Sequence, residues 1–80
     1  MDIVWREKAL KELESLEVSI ARRIIKSVNE LSKNPFSKDV KKLIGFNGFR
    51  LRVGSYRIIF NIDGNTINIL KVGHRKNVYK

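Results

Sequence analysis

Eighty residues, 42% of them apolar and only one a proline, can bury a single hydrophobic core, so residues 1–80 are read as one domain. Cysteine is absent and histidine occurs once, which excludes disulfides, thiolate nucleophiles and a zinc centre; no cofactor or metal is expected. The formal charge of +9 is uneven: residues 1–40 hold eight Lys/Arg against seven Asp/Glu, whereas residues 41–80 hold nine against Asp63 alone, a field that attracts polyanions.

Ile3–Trp5 is a short apolar run that reads as a strand. No signal-peptide core precedes it and no later stretch nears the roughly 20 apolar residues of a bilayer span, so a cytoplasmic protein without a membrane partner is expected. From Arg6 to Ser15 the period is helical, with Ala9, Leu10, Leu13 and Leu16 on one side and Lys8, Lys11, Glu12 and Glu14 on the other. A break near residues 17–19 makes Ser19 the expected N-cap of a second helix. Its apolar stripe is Ile20, Ile24, Ile25, Val28 and Leu31, with Arg22, Arg23, Lys26 and Glu30 facing outward. Asn34-Pro35 stops it, because proline cannot continue a helix and restricts the residue before it.

Residues 36–48 read as a lysine-bearing loop containing Lys38, Lys41 and Lys42. The period then changes to two. Phe49, Leu51 and Val53 alternate with Arg50 and Arg52. Gly54-Ser55 has glycine first, the signature of a two-residue hairpin turn, and Tyr56–Ile62 follows as its second strand. Asp63-Gly64-Asn65 is another turn, and Thr66–Val72 is the last strand. The fold class is therefore α+β: an N-terminal helical hairpin packed on one face of a small, twisted antiparallel sheet.

A Gly54-Ser55 turn fixes the register, pairing Val53 with Tyr56, Arg52 with Arg57, Leu51 with Ile58 and Arg50 with Ile59. Phe49, Leu51, Val53, Tyr56, Ile58, Phe60, Ile67 and Ile69 then form the face under the helices. Arg50, Arg52 and Arg57 gather on the other face, with Ile59, Leu70, Val72 and, by continued alternation, His74. Like charges opposite one another destabilise a sheet, and the Arg52–Arg57 pair is expected to have no nearby acid, so anion binding is its simplest reason to exist.

Guanidinium groups bind phosphate bidentately. Binding nucleic acid needs no more than this. Cutting RNA without a metal needs, in addition, a base for the 2′-hydroxyl, cations for the charge on phosphorus, and an acid for the leaving 5′ oxygen. His74 and Tyr79, in the tail Gly73–Lys80, are the side chains that could move protons, and Arg57 and Arg75 are the natural stabilisers. Lys41, Lys42, Arg50, Arg52 and Lys76 are the candidate RNA-binding cations.

The order of strand, helical hairpin, "KKLIG" loop and "FRLRVGSYRIIFNIDGNTINILKVGHRKNVYK" resembles the RelE/ParE toxin superfamily. "RVGSYRIIF" is similar to its central hairpin and "VGHRKNVY" to the tail of its RelE branch. The resemblance implies a toxin of a type II toxin–antitoxin system: a ribosome-dependent endoribonuclease that cuts mRNA in the ribosomal A site by 2′-hydroxyl attack, without metal, and is held silent in a hetero-oligomer with a cognate antitoxin. It implies that Arg57 contacts the scissile phosphate, that Arg75 stabilises the transition state, and that Tyr79 stacks on or deprotonates the nucleotide. Arg50 and Arg52 occupy basic positions of the preceding strand, and His74 stands where some relatives have lysine. The spacing from Arg75 to Tyr79 is shorter than in bacterial members. The alternatives are a ParE-like inhibitor of DNA gyrase, whose branch lacks the tail tyrosine, and a non-catalytic nucleic-acid-binding module.

Overall fold

The structure is a computed structural model that describes residues 1–45 and 47–76. The elements run β1 (Asp2–Trp5), α1 (Glu7–Glu14), α2 (Val18–Leu31), β2 (Val40–Lys42), β3 (Phe49–Val53), β4 (Tyr56–Asp63) and β5 (Thr66–His74). The five strands form one sheet in the order β1-β5-β4-β3-β2. β1 runs parallel to β5, while the other three pairings are antiparallel. The expected fold class stands, with β1 as the parallel exception. The expected loop over residues 36–48 contains a strand: Val40, Lys41 and Lys42 pair with Leu51, Arg50 and Phe49. Three residues with two lysines carry too little alternation to be legible as a strand without their partner.

Both helices cover one face of the sheet. Ala9 and Leu13 of α1 and Ile24, Val28 and Leu31 of α2 are buried with Leu51, Val53, Ile58, Phe60, Ile67, Ile69 and Val72. Each helix meets the sheet along a narrower stripe than its apolar sequence offers. Leu10 and Ile25 remain 42% and 40% exposed, because each follows the buried Ala9 or Ile24 by one residue and so lies about 100° around the helix. The second helix begins two residues earlier than expected. Its N-cap is Glu17, and Ser19 lies inside the helix, donating its hydroxyl back to the Glu17 carboxylate. That hydroxyl, then the Ser19 and Ile20 amides at the positive helix end, hold Glu17 below the ordinary carboxylate range, although neither amide closes a capping bond.

The β3–β4 hairpin has the register the turn dictates, Val53↔Tyr56 through Phe49↔Phe60. Gly54 has φ +59°, the left-handed value that its position requires, while Ser55 stays at negative φ. Gly64 repeats the arrangement at φ +59° between β4 and β5.

The last strand departs from simple alternation. Phe60 pairs with Ile69 but Ile59 pairs with Lys71, so Leu70 is an extra, bulged residue. The bulge reverses the faces beyond it. Val72, expected beside the arginines, pairs with Ile58 under the helices and is 2% exposed. His74, also expected there, pairs with Tyr56 on the helix-covered side. Uninterrupted alternation would set Lys71 in the row of Ile58, which is fully buried; desolvating an unpaired ammonium there would cost far more than one unpaired strand residue.

Candidate active site

The hairpin brings Arg52 and Arg57 directly opposite each other at the end of β3 and β4. Arg57 is held there by its own turn, its Nη1 donating to the Gly54 and Tyr56 carbonyls at 3.1 Å each. β5 then delivers Arg75. Its backbone N–H donates to the Ser55 carbonyl at 2.9 Å, tying the end of the last strand to the tip of the hairpin. Arg52, Arg57 and Arg75 consequently line one open cleft of ≈ 710 Å³.

The opposite wall of this cleft is α2, which contributes Arg23, Lys26, Ser27 and Glu30. Arg23, Lys26 and Glu30 were read from the sequence only as outward-facing, and Ser27 was not singled out. Their i, i+3, i+4, i+7 spacing, alongside the buried stripe of Ile24, Val28 and Leu31, is the signal that they flank the sheet. Asp39, just before β2, also lines the cleft and corrects the expectation that no acid neighbours the arginine pair. Its Oδ1 lies 3.4 Å from Arg52 Nη2, and its carbonyl accepts the Arg52 backbone N–H at 2.9 Å. Both side chains of this ion pair are largely exposed, so the attraction relieves the Arg52–Arg57 repulsion without neutralising the cleft.

The remaining candidate cations divide. Lys41, Arg50, Ile59 and Lys71 occupy one row across four strands on the face away from the helices. Ile59 is only 7% exposed there, flanked by Arg50 and Lys71, and Arg50 Nε is buried without a protein acceptor. Lys42 leaves that row, because it pairs with Phe49 on the other parity, and Lys76 is exposed beyond β5.

His74 does not line the cleft among the described residues. Its ring meets Tyr56 edge-on at 5.6 Å, and its Nδ1 accepts the Lys76 backbone N–H at 3.3 Å. A ring nitrogen used as acceptor places the proton of the neutral imidazole on Nε2. Tyr79 lies outside the described residues. The described site is therefore an arginine-rich anion cleft, with His74 next to Arg75 in the chain but outside the cleft lining.

Comparison with known proteins bears on what such a cleft serves. Residues 3–79 match the family described as ParE toxin of type II toxin-antitoxin system, parDE. Toxin RelE3 of Methanocaldococcus jannaschii is 34% identical over an alignment covering 99% of this chain and 96% of that protein. The toxin–antitoxin complex RelBE2 of Mycobacterium tuberculosis contains a chain that superposes with a TM-score of 0.83 at 28% identity, covering 92% of this chain and 96% of that one. A chain of the RelB–RelE antitoxin–toxin complex of Methanococcus jannaschii gives 0.78 at 31% identity, covering 95% and 94%.

Proposed function

The chain belongs to the RelE/ParE toxin superfamily of type II toxin–antitoxin systems, and from that premise we propose that it is a ribosome-dependent endoribonuclease that cuts mRNA in the ribosomal A site. The observation that carries this reading is the gathering of Arg52, Arg57 and Arg75, from two strands and the end of a third, in one cleft. The Arg57 guanidinium is held by two backbone carbonyls, and backbone bonds fix the chain at Arg52 and Arg75, so the three charges are gathered for a phosphodiester whose negative charge rises during reaction.

In the proposed step the 2′-hydroxyl loses its proton to a base as its oxygen attacks the adjacent phosphorus. The P–O5′ bond breaks, and the leaving 5′ oxygen takes a proton from an acid. The products are a 2′,3′-cyclic phosphate and a 5′-hydroxyl. Arg57 and Arg75 stabilise the phosphorane, supplying charge that another enzyme would draw from a metal. His74 and Tyr79 are the candidates for the two proton transfers; as acid, His74 would act as the imidazolium and give up its Nδ1 bond from the Lys76 N–H. Arg50, Arg52, Lys41, Lys42 and Lys76 hold the strand.

The partners that follow are the ribosome, its mRNA and a cognate antitoxin, and the compartment is the cytoplasm. The solved relatives are complexes of toxin with antitoxin, which supports a hetero-oligomer here as well. Among the described residues, no helix is long and apolar enough to cross a membrane.

The test is 5′-end mapping of a defined mRNA on programmed ribosomes. Wild type should cut in the A-site codon, and Arg57→Ala and Arg75→Ala should each slow cutting at least about a hundredfold, the scale of losing one transition-state donor. Near-normal cutting by both variants would remove them from the active site. The name of the matching family favours a second reading, an inhibitor of DNA gyrase; supercoiling inhibition without mRNA cutting would establish it instead.

A further inference from the structure

We infer that Arg23 and Lys26 of α2 form a second phosphate subsite, which grips the RNA strand beside the scissile phosphodiester. The inference rests on the mRNA-cutting reading and extends its substrate contacts to an element outside the sheet. Arg23 leans over the tip of the β3–β4 hairpin: the point that a Cβ on Gly54 would occupy is 3.4 Å from its Nη2. Glycine leaves that surface bare, and the Arg23 guanidinium uses it to reach the rim where Arg57 and Arg75 stand. Lys26, one turn further along α2, lines the same cleft.

Charge and size favour a strand of RNA over one isolated phosphate. Five cations and two carboxylates line the cleft, and one of those carboxylates, Asp39, is engaged with Arg52. Among the described residues no carboxylate lies within ion-pair distance of Arg23 or Lys26, so both keep their charge for a ligand. The ≈ 710 Å³ of open space falls within the range of about 300–1,000 Å³ typical of ligand sites, more than a single phosphate fills. Cations on two walls bind successive phosphates of a backbone passing between them, a sequence-tolerant grip suited to a strand whose bases are paired or read elsewhere.

The experiment measures binding of a fluorescent oligouridylate to the full chain across a salt series. Each phosphate neutralised contributes about 0.7 to the slope of log affinity against log salt for a single strand. Arg23→Gln with Lys26→Gln should lower the slope by about 0.7 or more, whereas Lys8→Gln with Lys11→Gln, which removes the same charge from α1, should leave it nearly unchanged. An unchanged slope in the first pair, or equal losses in both, overturns the subsite. So does a loss seen only with an oligoglutamate probe, which assigns the cleft to an acidic protein segment. Cleavage on ribosomes separates the two readings: a wild type that cuts mRNA while the slope is unmoved leaves only the subsite in error, and one that neither cuts nor binds removes both.

Discussion

The Glu12 carboxylate on α1 accepts the backbone N–H of Val72 on β5 at 3.0 Å, a bond between residues 60 apart in sequence. β1 covers β5 only from Thr66 to Ile69, so Val72 lies beyond the end of its parallel partner, just past the bulge at Leu70. A helix side chain thus completes the sheet where strand pairing runs out. The same bond fixes the stretch of β5 that leads into His74 and Arg75.

Glu12→Ala should destabilise the fold by about 1–2 kcal/mol, the scale of a charge-assisted hydrogen bond in a partly exposed setting. Urea denaturation would read this as a lower midpoint with an unchanged slope. Glu12→Gln keeps an acceptor and should recover part of the loss; equal stability of all three chains would mean that the bond contributes nothing.

Asp39→Asn should tighten binding of single-stranded RNA by up to about fivefold at low salt, since an exposed pair of this kind is worth at most about 1 kcal/mol. Arg52 would then meet phosphate without a competing carboxylate. The gain should shrink as salt rises. Weaker binding would show instead that Asp39 positions Arg52 for the ligand.

His74→Gln tests the assignment of the general acid. If His74, as the imidazolium, protonates the leaving oxygen, the substitution lowers the rate and removes the limb of the pH–rate profile on which activity falls with rising pH. A profile of unchanged shape would take His74 out of the mechanism and leave its edge-on packing on Tyr56 as its contribution. Tyr79→Phe is the matching experiment for the base: activity that survives it means stacking, not proton transfer.

Ser19→Ala should let Glu17 titrate closer to its ordinary range, because the Ser19 hydroxyl is the largest of the influences holding it down. Carboxylate chemical shifts across an acid titration would follow this directly. The folded-state pKa is below the unfolded one, so the associated stabilisation is present above the unfolded value and is lost as pH falls through the folded value. A Glu17 titration indifferent to Ser19 would assign the effect to the helix amides.

Much of the fold was legible because its determinants are local. Glycine at the first turn position sets the β3–β4 register, and alternation then sends Leu51 and Ile58 inward and Arg52 and Arg57 outward. The family resemblance, carried by "RVGSYRIIF" and the tail, agrees with the relatives found. The bulge left a trace, since Lys71 falls where alternation from Ile67 and Ile69 would demand an apolar residue. A lysine there says that alternation must break, without saying where.

What only the tertiary structure decided are relationships between segments distant in sequence. β2 exists because Arg50 and Leu51 offer it an edge, Val72 is inward because Ile58 needs a neighbour, and Arg23 shares a cleft with Arg57 and Arg75 because α2 passes beside the hairpin tip at Gly54. Periodicity reports how a side chain stands relative to its own backbone. Which element closes a cleft depends on how helices and strands of fixed shape pack around one core, and that is settled by all eighty residues together.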